Sequence, residues 1–163
     1  MLVYLGIDPG ARGACALIDA HAEILLTREA PQDAPAVAAC IADAMAAASS
    51  IGAQVCCALE HSQARPGQGV TSMFRFGRNA GWWEGALAAS HVPYLLIAPR
   101  RWQSAVLDSG GGKDAKARSL AAARRLWPGA GLTKSRDGLA DALHLARYAL
   151  LSWPPGDLRQ PAA

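Results

Sequence analysis

The chain opens on an uninterrupted apolar and small run, Leu2-Val3-Tyr4-Leu5-Gly6-Ile7, which stops at Asp8-Pro9-Gly10. A run without polar alternation predicts a strand buried on both faces. After the turn residues Pro9, Gly10 and Gly13, Ala14 to Ile18 reads as a second strand and Ile24 to Thr27 as a third. Asp19-Ala20-His21 supplies the turn between them, so these three strands are expected to form an antiparallel meander. Asp33 stands at an N-cap position, and Val37, Ile41, Met45 and Ala48 recur at helical spacing through an alanine-rich stretch ending near Ser49. Gln54 to Glu60 is a further apolar strand. Because a helix leads to it, it is expected to lie parallel to the first.

The second half alternates more plainly. A long helix is predicted from about Ser72 to Ser90, then a strand over Tyr94–Ile97. Pro99 suits the first turn of a short helix carrying Arg100, Arg101 and Trp102. Helices follow at about Asp114 to Trp127 and Asp137 to Ser152. His61–Gly69 and Asp108–Gly112 read as loops, and residues 154–163 as a flexible tail rich in Pro, Gly and Ala. The expectation is one α/β domain over residues 1–153, with a mixed five-stranded sheet flanked by helices.

Composition agrees. At 163 residues, with 52% apolar content, the chain is long enough for one substantial core. No run reaches the roughly 18 apolar residues a membrane-spanning helix needs, and Asp8 and Arg12 interrupt any signal core, so a cytoplasmic protein with no membrane partner is expected. Cys15, Cys40, Cys56 and Cys57 form no C-x-x-C pair and sit among apolar neighbours, which predicts buried free thiols.

Four acids change the picture: Asp8 and Glu60 close apolar strands, and Asp137 and Asp141 are four apart on one helix face. A carboxylate at the end of a buried strand is costly unless its charge is compensated. Four converging carboxylates repel one another unless cations lie between them, and hard oxygen ligands suit Mg²⁺ or Mn²⁺. Each acid also has a structural reading: Asp8 as an Asx turn residue before Pro9-Gly10, Glu60 as a solvated strand end, Asp137 as an N-cap, Asp141 as an exposed helical residue. His61 reads as an exposed loop residue and His144 as a helix-surface residue. Phe74, Trp82 and Trp83 read as core or dimer interface.

These motifs, in their order, resemble the RuvC-like Holliday junction resolvases, and among them the bacteriophage and prophage members. The resemblance rests on Leu5-Gly6-Ile7-Asp8-Pro9-Gly10, Ala58-Leu59-Glu60, Phe76-Gly77-Arg78-Asn79-Ala80-Gly81, Ala98-Pro99-Arg100-Arg101-Trp102, Asp114-Ala115-Lys116-Ala117-Arg118-Ser119 and Ala140-Asp141-Ala142-Leu143. It implies a ribonuclease H-like fold and a homodimer that nicks opposing strands of a four-way junction. It further implies Asp8, Glu60, Asp137 and Asp141 as catalytic metal ligands, with two Mg²⁺ or Mn²⁺ ions per active site and no small-molecule cofactor. Lys116 matches a lysine placed near the scissile phosphate. Two departures stand out: Ser62, Gln63 and Ala64 replace the aromatic wedge of RuvC proper, and Asp137 lies one residue from its usual spacing to Asp141.

Charge distribution fits a nucleic-acid partner. Residues 1–60 hold two Arg against seven acids, whereas residues 61–163 hold fourteen basic and six acidic residues. Arg65, Arg75, Arg78, Arg100, Arg101, Lys113, Lys116, Lys134 and Arg136 fall mostly in loops or near helix ends toward the acidic edge, where each could neutralise a phosphate. A solvated basic face is the alternative. Rival functions are a related nuclease of RNA or flap DNA, a junction-binding protein without cleavage, and an ATP-using lobe of the sugar kinase and actin type.

Overall fold

The structure, a computed structural model, describes residues 1–61, 67, 69–107 and 114–153. Strands β1 (Leu2–Asp8), β2 (Ala14–Ile18) and β3 (Ile24–Glu29) are followed by helix α1 (Ala34–Ser50) and strand β4 (Gln54–Glu60). Then come α2 (Val70–Ala89), β5 (Tyr94–Ile97), α3 (Pro99–Val106), α4 (Ala115–Leu126) and α5 (Asp137–Ser152). The sheet order is β3-β2-β1-β4-β5. β1 pairs antiparallel with β2 and β2 with β3, while β1 pairs parallel with β4 and β4 with β5. This is the mixed sheet the apolar runs predict, with the opening strand at its centre.

Strand alternation decides which face each side chain serves. Val3, Leu5 and Ile7 of β1, with Val55, Cys57 and Leu59 of β4, join a core built with Val37 and Ile41 of α1 and Trp83 and Leu87 of α2. Leu2 and Tyr4, with Cys56 and Ala58, join the opposite core, made with α3, α4 and α5. The sheet is thus covered on both faces, which is why β1 carries no polar alternation. Asp8 and Glu60 have the parity of Leu2, Tyr4, Cys56 and Ala58, so both turn toward the α5 side.

Gly6 sets how closely α5 approaches the sheet. A Cβ added there would lie 2.0 Å from the Ala142 carbonyl oxygen and 2.2 Å from the Ala146 nitrogen. Only a residue without a side chain lets the helix backbone rest on the central strand. Gly138 makes a second close contact, because its Cβ would lie 2.1 Å from the Arg12 carbonyl oxygen. Together they seat the start of α5 against β1 and the β1–β2 turn.

Asp33 caps α1 by accepting from the Ala36 amide at 2.8 Å, and Asp114 caps α4 through the Lys116 and Ala117 amides. α2 begins at Val70, slightly before the expected Ser72. A 3-10 turn, Lys134–Arg136, leads into α5 without any sequence signal having announced it. All four cysteines are buried free thiols. No helix among the described residues is long and apolar enough to cross a membrane. Arg65, Lys113, most of the first expected loop, the Asp108–Gly112 break and the expected tail at 154–163 lie outside the described residues.

Two expectations are corrected. His144 is fully buried, not on the helix surface; α5 is covered by the sheet on one side and by α3 and α4 on the other, so a polar residue has little free surface to occupy. The aromatic stripe divides: Trp83 is buried and Trp82 half-buried, but Phe74 is 67% exposed. Phe74 is therefore not a core residue; Arg78 lies 5.9 Å from its ring centre and 4.9 Å from that of Trp82.

Candidate active site

The candidate site lies at one edge of the sheet, where β1 and β4 end together. The parallel register aligns Ile7 with Leu59, so Asp8 and Glu60 follow side by side at adjacent strand ends. The first turns of α5 bring Asp137 and Asp141 to the same edge, and the first turn of α4 brings Lys116.

Each carboxylate has a defined partner. Asp8 Oδ1 accepts from the Gly10 amide at 2.9 Å, the Asx turn its sequence context allows. This bond holds the carboxylate and leaves Oδ2 uncommitted among the hydrogen bonds described. Glu60 Oε2 accepts from the Trp102 indole Nε1 at 2.8 Å. Asp141 Oδ1 accepts a short hydrogen bond from the Ser119 hydroxyl. Asp137 is the first residue of α5 and does not cap it; its Oδ2 accepts from Lys116 Nζ at 2.8 Å, with Arg12 at 3.7 Å. The capping role that sequence permitted for Asp137 is therefore not the one taken.

Electrostatics separates the acids. Burial raises the Asp8 carboxyl above its ordinary range, opposed by the Gly10 amide and Lys116 and reinforced by Asp137. Burial pushes Asp141 up to about 6, opposed by the Ser119 hydroxyl, with the charges of Asp8 and Asp137 adding to the rise. Asp137 is lowered instead, chiefly by its hydrogen bond from Lys116. Asp8, Asp137, Asp141 and Lys116 thus lie within mutual electrostatic range, and the partly buried pair Asp8 and Asp141 is short of positive charge.

An all-oxygen donor set with an excess of partly buried negative charge fits a hard divalent cation such as Mg²⁺ or Mn²⁺. It is not a closed cage: among the described residues no three acidic, His or Cys side chains form a ready-made metal-binding group. In this arrangement Asp137, Glu60 and Asp141 accept hydrogen bonds from Lys116, Trp102 and Ser119 respectively.

The basic residues fall into three groups around the edge. Arg100 and Arg101 are exposed at the start of α3, directly after β5. Lys134 is exposed and Arg136 partly buried in the 3-10 turn before Asp137. Arg75 and Arg78 are exposed on α2, one turn apart. Four participants escape sequence reasoning: Arg12 beside Asp137, Ser119 on Asp141, Trp102 on Glu60, and Asn79, whose Nδ2 donates to the Pro9 carbonyl at 2.7 Å. Trp102, Ser119 and Asn79 all stand inside the motifs quoted above, which was the available signal. Arg12 had none beyond its place in the turn after Asp8.

No protein-family model and no curated protein sequence matches this chain. Solved structures do. The chain is similar to the T. thermophilus RuvC in complex with Holliday junction substrate, with a TM-score of 0.62 and 18% identity over 90% of both chains. It is also similar to a second Thermus thermophilus RuvC structure, with a TM-score of 0.60 and 20% identity over 88% of this chain and 90% of that one. At such identity the likeness concerns the fold: this chain has the ribonuclease H-like architecture of RuvC, its mixed five-stranded sheet flanked by helices.

Proposed function

We propose that this protein is a divalent-metal-dependent endonuclease that resolves four-way DNA junctions. The observation that carries the reading is the convergence of Asp8, Asp141 and Lys116, with Glu60 on the adjacent strand end, at one edge of a RuvC-like fold. Asp8 and Glu60 would hold one ion and Asp8 with Asp141 a second; Asp137, drawn to Lys116, is the more distant candidate. Mg²⁺ or Mn²⁺ held by these carboxylates would supply activation of a water and stabilisation of the leaving oxygen of the phosphodiester.

The chain's own residues do the rest. The central strand and the Asx turn keep Asp8 rigid, as a shared ligand must be. Lys116, held by Asp137, would meet the negative charge that grows on the phosphate in the transition state. Arg75, Arg78, Arg100, Arg101, Lys134 and Arg136, with Arg65 and Lys113, would track DNA phosphates, giving salt-sensitive affinity that is largely independent of sequence. A homodimer would place two such sites with the two-fold symmetry of a junction, so that paired nicks open it symmetrically.

A panel of labelled substrates of matched length tests this: an immobile four-way junction, a flap, linear duplex and an RNA–DNA hybrid, each with Mg²⁺ and with EDTA. Symmetric, metal-dependent nicks confined to the junction are expected. Equal cutting of all substrates would replace the reading with a general nuclease, and tight junction binding without cuts would replace it with a binding protein.

A further inference from the structure

Beneath the carboxylates lies a layer of buried polar groups that ties Glu60 to Asp141 across three helices. Trp102 on α3 is fully buried, and its indole N–H is spent on Glu60. Its ring stacks on that of His144, with centroids 6.1 Å apart and planes inclined by 18°. His144, also fully buried on α5, meets Trp127 edge-on at 5.7 Å. His144 Nε2 lies 3.0 Å from the Ser119 carbonyl oxygen. A carbonyl can only accept, so Nε2 carries the proton and donates. Nδ1 is buried and has no hydrogen-bond partner among the described residues, which leaves the ring neutral in one tautomer and one orientation. Ser119, on α4, then donates its hydroxyl to Asp141.

The chain of contacts therefore runs Glu60, Trp102, His144, Ser119, Asp141. We infer that Trp102, His144 and Ser119 act as one positioning unit, fixing the Glu60 and Asp141 carboxylates relative to each other so that both can hold cations. All three are buried, and they act through the carboxylates. The inference rests on the nuclease reading for its purpose, but the coupling can be measured apart from it. Groups that orient metal-binding carboxylates typically alter metal affinity by about 10- to 100-fold when removed. Residues acting as a unit give effects that do not add.

The physical readout is the indole N–H resonance of Trp102 in ¹⁵N-labelled full-length protein, assigned by its loss in Trp102→Phe. It is expected to move in Glu60→Gln, to move on Mg²⁺ titration, and to move in Ser119→Ala, which removes the hydroxyl from Asp141 at the far end of these contacts and keeps the carbonyl that His144 meets. In cleavage assays, Trp102→Phe and Ser119→Ala are each expected to raise the Mg²⁺ concentration for half-maximal cutting by about 10-fold, and the double variant by less than the product of the two. Junction affinity in EDTA should stay unchanged. A merely structural role would lower the amplitude at every Mg²⁺ concentration and leave the midpoint in place. A Trp102 resonance indifferent to Glu60→Gln and Ser119→Ala overturns the coupling, even if the wild type cuts junctions. Conversely, a wild type without metal-dependent cleavage overturns the nuclease reading while the resonance shifts still decide the coupling.

Discussion

Replacing Asp141 with Asn is expected to stabilise the metal-free protein at pH 8. Burial, with added repulsion from Asp8 and Asp137, pushes this carboxyl from 3.8 up to about 6. At ~1.4 kcal/mol per unit, a rise of about two units corresponds to about 3 kcal/mol borne by the ionised form. The partial exposure of Asp141 screens some of this, leaving a working figure of about 2 kcal/mol. Asn is neutral and nearly isosteric, and its carbonyl can still accept the Ser119 hydroxyl. The pH dependence follows from the sign of the shift. Because the folded-state value lies above the unfolded one, the folded protein binds the extra proton between about pH 4 and 6. Stability from this group is complete below pH 4 and is lost as pH rises through 6. The advantage of Asp141→Asn should therefore be near zero at pH 4 and reach about 2 kcal/mol by pH 8, about 4–8 °C in Tm for a domain of this size. Thermal unfolding followed by circular dichroism in EDTA reads it directly. A variant no more stable than the wild type at pH 8, or a gap that does not close in acid, would refute the argument that Asp141 is a partly buried charge lacking its counter-ion.

Further outcomes follow from other contacts. His144 is lowered to about 4, mainly by burial, so the unfolded chain binds more protons between about pH 4 and 6.5; relative to His144→Gln, the wild type should lose up to about 3 kcal/mol as pH falls through that window, a slope opposite to that of Asp141 and resolved by urea unfolding at several pH values. Gly6→Ala forces a methyl onto the α5 backbone and should cost at least about 3 kcal/mol, seen as a lowered Tm with loss of cleavage. Lys116→Ala should lower the cleavage rate by about 100-fold or more with little change in junction affinity. Arg100→Ala and Arg101→Ala should each reduce the slope of log affinity against log salt by about one, whatever the DNA sequence.

Much of the fold is legible in the sequence because the strands β1, β2 and β4 are buried on both faces. Such strands appear as unbroken apolar runs, and here they end on residues that cannot continue them: Asp8 before Pro9, and Glu60 at the edge. The side on which Asp8 and Glu60 fall depends on the β1–β4 register, which the sequence does not give and the structure supplies. Local signals say nothing about contacts between residues far apart in the chain. His144 reads as a surface residue because helical spacing marks the apolar row Leu139, Leu143 and Ala146 but not the second layer that covers α5 from behind. Ser119 reads as an ordinary helical serine, since only tertiary packing brings it to Asp141. Gly6 carried a partial signal: a glycine inside a strand often marks a close backbone approach, and the approach here is that of the helix bearing the acids.

The central claim is that Asp8 and Asp141 together support metal-dependent cleavage of branched DNA. Its most direct test compares wild type with the Asp8→Asn, Asp141→Asn double variant on a labelled immobile four-way junction, with Mg²⁺ and with EDTA. The account predicts symmetric Mg²⁺-dependent nicks by the wild type, and binding without nicks by the double variant. Cleavage retained by the double variant, or cleavage by the wild type that persists in EDTA, would contradict it.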